Sequence, residues 1–76
     1  MQKILDILSG IRPEFDFSTS NDFIQDGMLD SFDVVTLVTE LDDQFSISID
    51  GTDIVPNNFR NVDSIKVLLK KKGVEV

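Results

Sequence analysis

The sequence predicts an all-α fold: a small bundle of four helices, three main and one short, with a long first loop. Three observations predict it. Three segments carry apolar residues at spacings of three and four, the repeat of one helix face: Ile4, Leu5, Leu8 and Ile11; Val34, Leu37, Val38, Leu41 and Phe45; Val62, Ile65, Leu68 and Leu69. The one stretch with strand-like alternation, Ser46-Ile47-Ser48-Ile49, has no second strand to pair with, and a lone short strand is not stable in water. The length of 76 residues makes a single domain. A chain of that size buries only about 60% of its unfolded surface, so its core is small.

The first helix is expected over Gln2 to Gly10, with Gly10 and Pro13 as stop signals. About eighteen residues then lead to Asp30, an uncommon loop length in a compact domain unless the loop is functional or pinned. Phe15, Phe17, Phe23, Ile24, Met28 and Leu29 supply apolar anchors. The loop therefore reads as an ordered segment packed on the bundle, with a short turn near Asn21 to Phe23, and not as a tether, which would be poor in apolar residues. Gly27 allows a sharp bend before the next helix.

The second helix is expected to start at Asp30 or Ser31 and to end near Phe45 or Ser46. Asp30 is a good N-cap, and Asp33 is a first-turn acid that suits the helix dipole. At 100° per residue, Val34, Leu37, Val38, Leu41 and Phe45 form a core stripe. Asp33, Thr36, Glu40 and Asp43 form an acidic or polar stripe opposite. Phe32, Val35 and Thr39 lie between the two, beside Ser31. Next comes an extended connection with Ile47 and Ile49 turned inwards and a turn at Asp50-Gly51. The short helix, or a helical turn, belongs at Thr52 to Ile54 or around Pro56 to Phe59, because Pro56 fits a first helical position but not an interior. The last helix spans about Val62 to Lys72, capped by Asn61. Lys70, Lys71 and Lys72 complement its dipole, and Gly73 ends it.

Composition excludes several kinds of chemistry. The chain has no histidine and no cysteine, so it holds no Ser-His pair, no disulfide and no thiolate metal site. Its formal net charge is −7. Between Pro13 and Phe59 it has eleven acids and no lysine or arginine; its seven bases lie near the two ends. Nucleic acid is an unsuitable ligand for such a surface, whereas basic proteins are steered towards it. Asp50-Gly51-Thr52-Asp53 lacks the spaced ligands and closing glutamate of an EF-hand loop. No apolar run is long enough to span a membrane. The start, Met1 to Asp6, does not read as a signal peptide. The expectation is a mature, cytoplasmic, monomeric protein.

The segment Gly27-Met28-Leu29-Asp30-Ser31-Phe32-Asp33 places a serine between a long loop and an amphipathic helix. It resembles the attachment segment of acyl carrier and peptidyl carrier proteins, in which an Asp-Ser-Leu motif presents a serine for 4′-phosphopantetheine. The resemblance covers nearly the whole chain. Asp30-Ser31-Phe32-Asp33-x-Val35-x-Leu37-Val38-x-x-Leu41-x-x-x-Phe45 is similar to the second helix of fatty-acid carriers. Ile47-x-Ile49, and Asn57 and Phe59 through Ile65, look like the following connection and final helix. The Asp26-Gly27-Met28-Leu29-Asp30-Ser31-Phe32 and Val55-Pro56-x-x-Phe59 runs look most like stand-alone carriers of the D-alanyl type.

The resemblance implies an acyl-carrier-type bundle that is not itself an enzyme. Ser31, with Asp30 beside it, would hold 4′-phosphopantetheine derived from coenzyme A, and the cargo would travel as a thioester on that arm. The implied partners are a phosphopantetheinyl transferase, an adenylating ligase or acyltransferase, and downstream enzymes with basic surfaces. Asp33, Glu40 and Asp43 would meet their lysines and arginines, with Phe32, Val35 and Thr39 as the apolar edge. Phe32 in place of leucine, Thr39 in place of methionine and Thr36 in place of glutamate favour a specialised pathway (polyketide, nonribosomal or D-alanyl transfer) over housekeeping fatty-acid synthesis. The many phenylalanines, as space fillers, favour a small or aminoacyl cargo. The residues also allow an unmodified acidic helical adaptor for a basic protein, in which Ser31 merely starts a helix.

Overall fold

A computed structural model describes residues 2–75. Three α-helices are present: α1 (Gln2–Ile11), α2 (Ser31–Phe45) and α3 (Val62–Lys71). Among the described residues there is no strand, and residues 47–50 form a connection without regular structure, as expected. Among the described residues there is no fourth α-helix. Both candidate positions hold single 3₁₀ turns instead, at Gly51–Asp53 and Pro56–Asn58. The physical reason is Pro56: it offers no N–H to the preceding turn, so the two turns cannot merge into one helix.

α1 ends one residue past Gly10, and the N–H of Arg12 still donates to the carbonyl of Leu8. α1 packs along α2 and on a 3₁₀ turn at Phe17–Thr19, while α3 packs on the Pro56–Asn58 turn. The Phe17–Thr19 turn is absent from the sequence expectation; Asp16 caps it by accepting from the N–H and hydroxyl of Ser18. These hydrogen bonds, the Ser18 hydroxyl first, hold the Asp16 carboxyl below the usual range.

The long loop is ordered, as its apolar anchors require. Phe17, Phe23, Met28 and Leu29 are buried and Ile24 is partly buried, but Phe15, also expected as an anchor, is 36% exposed and does not join the core. Phe17 and Phe23 meet edge to face with centroids 5.0 Å apart. Its turn lies slightly later than Asn21 to Phe23. It is one helical turn in which the Asp22 carboxylate accepts from Gln25 N–H and its carbonyl from Asp26 N–H. Gly27 then takes φ 73°, a left-handed conformation that glycine adopts without a Cβ clash. The loop is also fastened to the start of α3. Phe23 N–H donates to Arg60 O at 2.6 Å, Asn61 Nδ2 donates to Asn21 O at 3.0 Å, and the Arg60 guanidinium lies 3.3 Å from Asp22. The radius of gyration, 11.1 Å, matches the roughly 11.4 Å of a compact chain of this length.

The core lies where the three apolar stripes meet. Ile4, Leu8, Leu37, Leu41, Ile65 and Leu69 are fully buried there, with Phe59 and Ile49. Phe45 and Ile47 are partly buried against it. α2 ends at Ser46, which is left-handed at φ 54°; Asp42 organises this end, its carbonyl accepting from Ile47 N–H and its carboxylate from Ile49 N–H. α3 starts at Asn61, whose side chain accepts from Ser64 N–H while Ser64 Oγ accepts from Asn61 N–H. It stops at Gly73, φ 88°, where Val74 N–H reaches back to Leu69 O. Lys72 does more than complement the dipole, since its ammonium group lies 2.7 Å from Asp53 and 3.5 Å from Asp50 and so ties the first 3₁₀ turn to α3.

Candidate functional site

The site is built on the first turn of α2. Asp30 caps the helix from an extended conformation: its Oδ1 accepts from Asp33 N–H at 2.9 Å, and Asp33 Oδ2 accepts from Asp30 N–H at 3.1 Å. This reciprocal cap satisfies two donors that a helix start leaves open. Ser31 is the first helical residue, lies between the two capping acids, and is exposed. Leu29 and Met28, both buried, fix the approach of the chain, and Val34 anchors the same turn from the core side. The serine is thus held on a vertex by buried neighbours on each side of it in sequence.

Beside Ser31 runs an apolar cleft of about 320 Å³, walled by Ile24, Leu29, Val34 and Val35 on one side and Ile54, Val55 and Pro56 on the other. Ile54 and Val55 are both partly exposed. The sequence placed Val55 only in the Val55-Pro56-x-x-Phe59 run and Ile54 only at the end of a helical turn, and assigned neither to the site; the signal was two adjacent branched apolar residues before a proline.

The expected partner surface divides. Phe32 is 82% exposed and Val35 57% exposed, so the apolar edge faces water. Thr39, Glu40 and Asp43 are exposed as well. The Thr39 hydroxyl is turned back to the carbonyl of Val35 at 3.0 Å, and that of Thr36 to Phe32 at 3.1 Å. Asp33 departs from the expectation. Its side chain is 13% exposed and committed inward, to Asp30 N–H and to the Arg12 guanidinium at 2.8 Å. Desolvation pushes its carboxyl upwards, but the Arg12 hydrogen bond, Asp30 N–H and the Arg12 charge outweigh it and hold the group below the usual range. The free acids of the α2 surface are therefore Glu40 and Asp43.

Arg12 is the other residue the sequence reading missed. It stands just past α1, twenty-one positions from Asp33, and no local pattern marks it; only the packing of α1 on α2 brings it to the cap. Its own proton is held more firmly than usual, first through the Asp33 hydrogen bond and then through the charges of Asp33, Glu14 and Asp30. A second groove, between α1 and α2, is lined by Lys3, Asp6, Gly10, Asp33, Thr36 and Glu40, among others.

No helix among the described residues is long and apolar enough to cross a membrane. The described residues hold no group of three or more potential metal-ligating side chains. No known protein family, characterised protein or solved structure matches the chain.

Proposed function

We propose that this chain is a carrier protein of the acyl carrier type, bearing 4′-phosphopantetheine on Ser31. The observation that carries the reading is the placement of Ser31: exposed, first in a doubly capped helix, and beside an apolar cleft. A covalent hook needs an accessible hydroxyl on a rigid base. It needs no base of its own, because a modifying enzyme brings one.

The residues around Ser31 fit the group. The N–H groups of the first turn and the helix dipole favour an anion there. The cleft walled by Ile24, Val35, Ile54 and Val55 offers apolar contact to an arm that leaves the serine along the surface. When bound, the group supplies a thiol on which an acyl or aminoacyl unit travels as a thioester. In attachment, Ser31 Oγ attacks the phosphorus that bears the pantetheine arm in coenzyme A. The Oγ–P bond forms, the pyrophosphate P–O bond breaks, adenosine 3′,5′-bisphosphate leaves, and the hydroxyl proton passes to the transferase. Phe32 and Val35, with Glu40 and Asp43 further along α2, form the face that meets the transferase, the loading ligase or acyltransferase, and the downstream enzymes. Exposed charge pairs of this kind are individually weak, which suits partners that must exchange quickly. The fully buried Phe17, Phe23 and Phe59 favour a small or aminoacyl cargo.

The test is intact-mass analysis after incubation with coenzyme A and a broad-range phosphopantetheinyl transferase. The chain gains one phosphopantetheine, and Ser31→Ala gains none. No gain with any competent transferase, on a protein whose circular dichroism is that of a folded helical domain, replaces the reading with that of an unmodified acidic adaptor using the same Phe32–Val35 face.

A further inference from the structure

Three nitrogens of one guanidinium reach three carboxylates. Arg12 Nε lies 2.8 Å from Asp33 Oδ2, Nη2 3.4 Å from Asp30 Oδ2, and Nη1 3.5 Å from Glu14 Oε2. Asp30 and Asp33 are the two halves of the helix cap, and they bracket Ser31. Asp33 Oδ2 is shared between Arg12 and Asp30 N–H, while Asp30 uses one oxygen for Asp33 N–H and the other towards Arg12. The cap is therefore a ring closed by a cation. Between Pro13 and Phe59 the sequence has no lysine or arginine, so the cation must come from outside that acidic span, and Arg12 supplies it from the end of α1.

We propose that Arg12 is the positioning residue that allows Ser31 to carry an anionic group: it cancels the field of Asp30 and Asp33 at the serine and holds the cap closed around it. This inference rests on the carrier reading, in which the group on Ser31 begins with a phosphate diester. That phosphate keeps a single negative charge throughout the neutral range and is joined to the residue between two carboxylates. Two like charges about 4 Å apart in water shift an equilibrium by about fivefold. With two carboxylates the opposition is larger than the help of a helix dipole, which is equivalent to about half a charge. A guanidinium in contact with both carboxylates removes most of it. A lysine at the same position keeps the charge but cannot address three carboxylates in three directions. Charge and geometry are thus separable by substitution.

The experiment is a cycle on the whole chain: native and Arg12→Gln proteins, each before and after phosphopantetheine attachment, unfolded in urea at low ionic strength. Attachment lowers the folding equilibrium constant about fivefold more in Arg12→Gln than in the native protein. In about 0.5 M sodium chloride, where the screening length is only a few ångströms, the excess disappears. Arg12→Lys restores most of the native behaviour. A purely structural role lowers the stability of modified and unmodified forms equally, in both salts, and overturns the proposal. The substitutions Ser31→Glu and Ser31→Gln, each made in the native chain and in the Arg12→Gln chain, place or withhold a charge at the same position without any enzyme. The difference between the two Ser31 substitutions must widen when Arg12 is lost, and an unchanged difference also overturns the proposal. If no transferase modifies the chain, the carrier reading fails and takes this proposal with it. If the chain is modified but the cycle shows no coupling, only the role of Arg12 is lost.

Discussion

Phe23 is the residue on which the order of the long loop depends, and its removal has a calculable cost. The ring is fully buried and packs edge to face on Phe17 at 5.0 Å. Truncating a buried phenylalanine to alanine costs about 3–5 kcal/mol, from lost transfer energy and the cavity left behind. A domain of this length has a total stability of roughly 4–11 kcal/mol, so Phe23→Ala removes about half of it. At about 4–8 °C per kcal/mol for a domain of this size, the melting temperature falls by about 12–40 °C. Phe23→Leu keeps most of the volume and costs about 1–1.5 kcal/mol. Urea unfolding followed by circular dichroism at 222 nm measures both. The backbone bonds of Phe23 to Arg60, Met28 and Leu29 are untouched by either change, so the difference reports side-chain packing. A loss below about 1.5 kcal/mol for Phe23→Ala would mean that the loop does not pack as a unit, and the argument that it fixes Ser31 would collapse with it.

Asp30→Ala removes the side-chain half of the cap and lowers stability by about 1 kcal/mol, read from the urea midpoint; Asp30→Asn retains most of it. Acid weakens the fold in a defined window. Asp33, Asp53 and Asp16 all have carboxyls held below the ordinary range, Asp53 first by its hydrogen bond from Lys72. A depressed folded-state pKa contributes stability that is complete above the unfolded value of about 3.9 and is lost as pH falls through the folded value. Urea midpoints are therefore expected to be flat with respect to these groups from about pH 7 to about pH 5 and to decline below about pH 4; a decline centred near about pH 6 would contradict this assignment. Phe32→Ala leaves stability within about 0.5 kcal/mol because the ring is exposed; on the carrier reading it is expected to lower kcat/KM for phosphopantetheine transfer by about fivefold or more, the loss of about 1 kcal/mol of contact. Unchanged transfer kinetics would remove Phe32 from the partner surface.

What could be read from the chain alone is what depends on neighbours within one turn. The caps at Asp30 and Asn61, the core stripe of α2 and the bend at Gly27 all follow from local spacing, and each lies where expected. The anchors of the loop were legible because a tether rarely holds several phenylalanines. What was not legible needs tertiary contact. Asp33 counts as a free surface acid until α1 brings Arg12 against it. Lys72 counts as a dipole partner until the turn at Gly51–Asp53 folds under it. A short helix or a helical turn was expected at one of two positions, and 3₁₀ turns stand at both; Pro56 was legible as a first helical residue, but that its missing N–H keeps the two turns apart shows only once both have formed.

On the carrier reading, the cargo question comes down to where space exists. Leu37, Leu41, Phe59, Ile65 and Leu69 have no exposed surface, and Phe17 and Phe23 fill the side next to the loop. The apolar space adjoining Ser31 is a cleft of about 320 Å³ whose rim, Val35, Ile54 and Val55, is itself open to water. Octanoyl has six more methylenes than acetyl. Complete burial at about 0.8 kcal/mol per methylene would stabilise the octanoyl-loaded chain by about 5 kcal/mol over the acetyl-loaded one, whereas contact along an open cleft is expected to contribute under about 2 kcal/mol. Urea unfolding of the two loaded forms distinguishes them, and methyl NMR locates the chain. The expected shifts are at Ile24, Val35, Ile54 and Val55, with Leu41, Ile65 and Leu69 unmoved. A gain above about 3 kcal/mol with shifts at those three core residues would show that the bundle parts to admit the chain, and the preference for a small cargo would have to be abandoned.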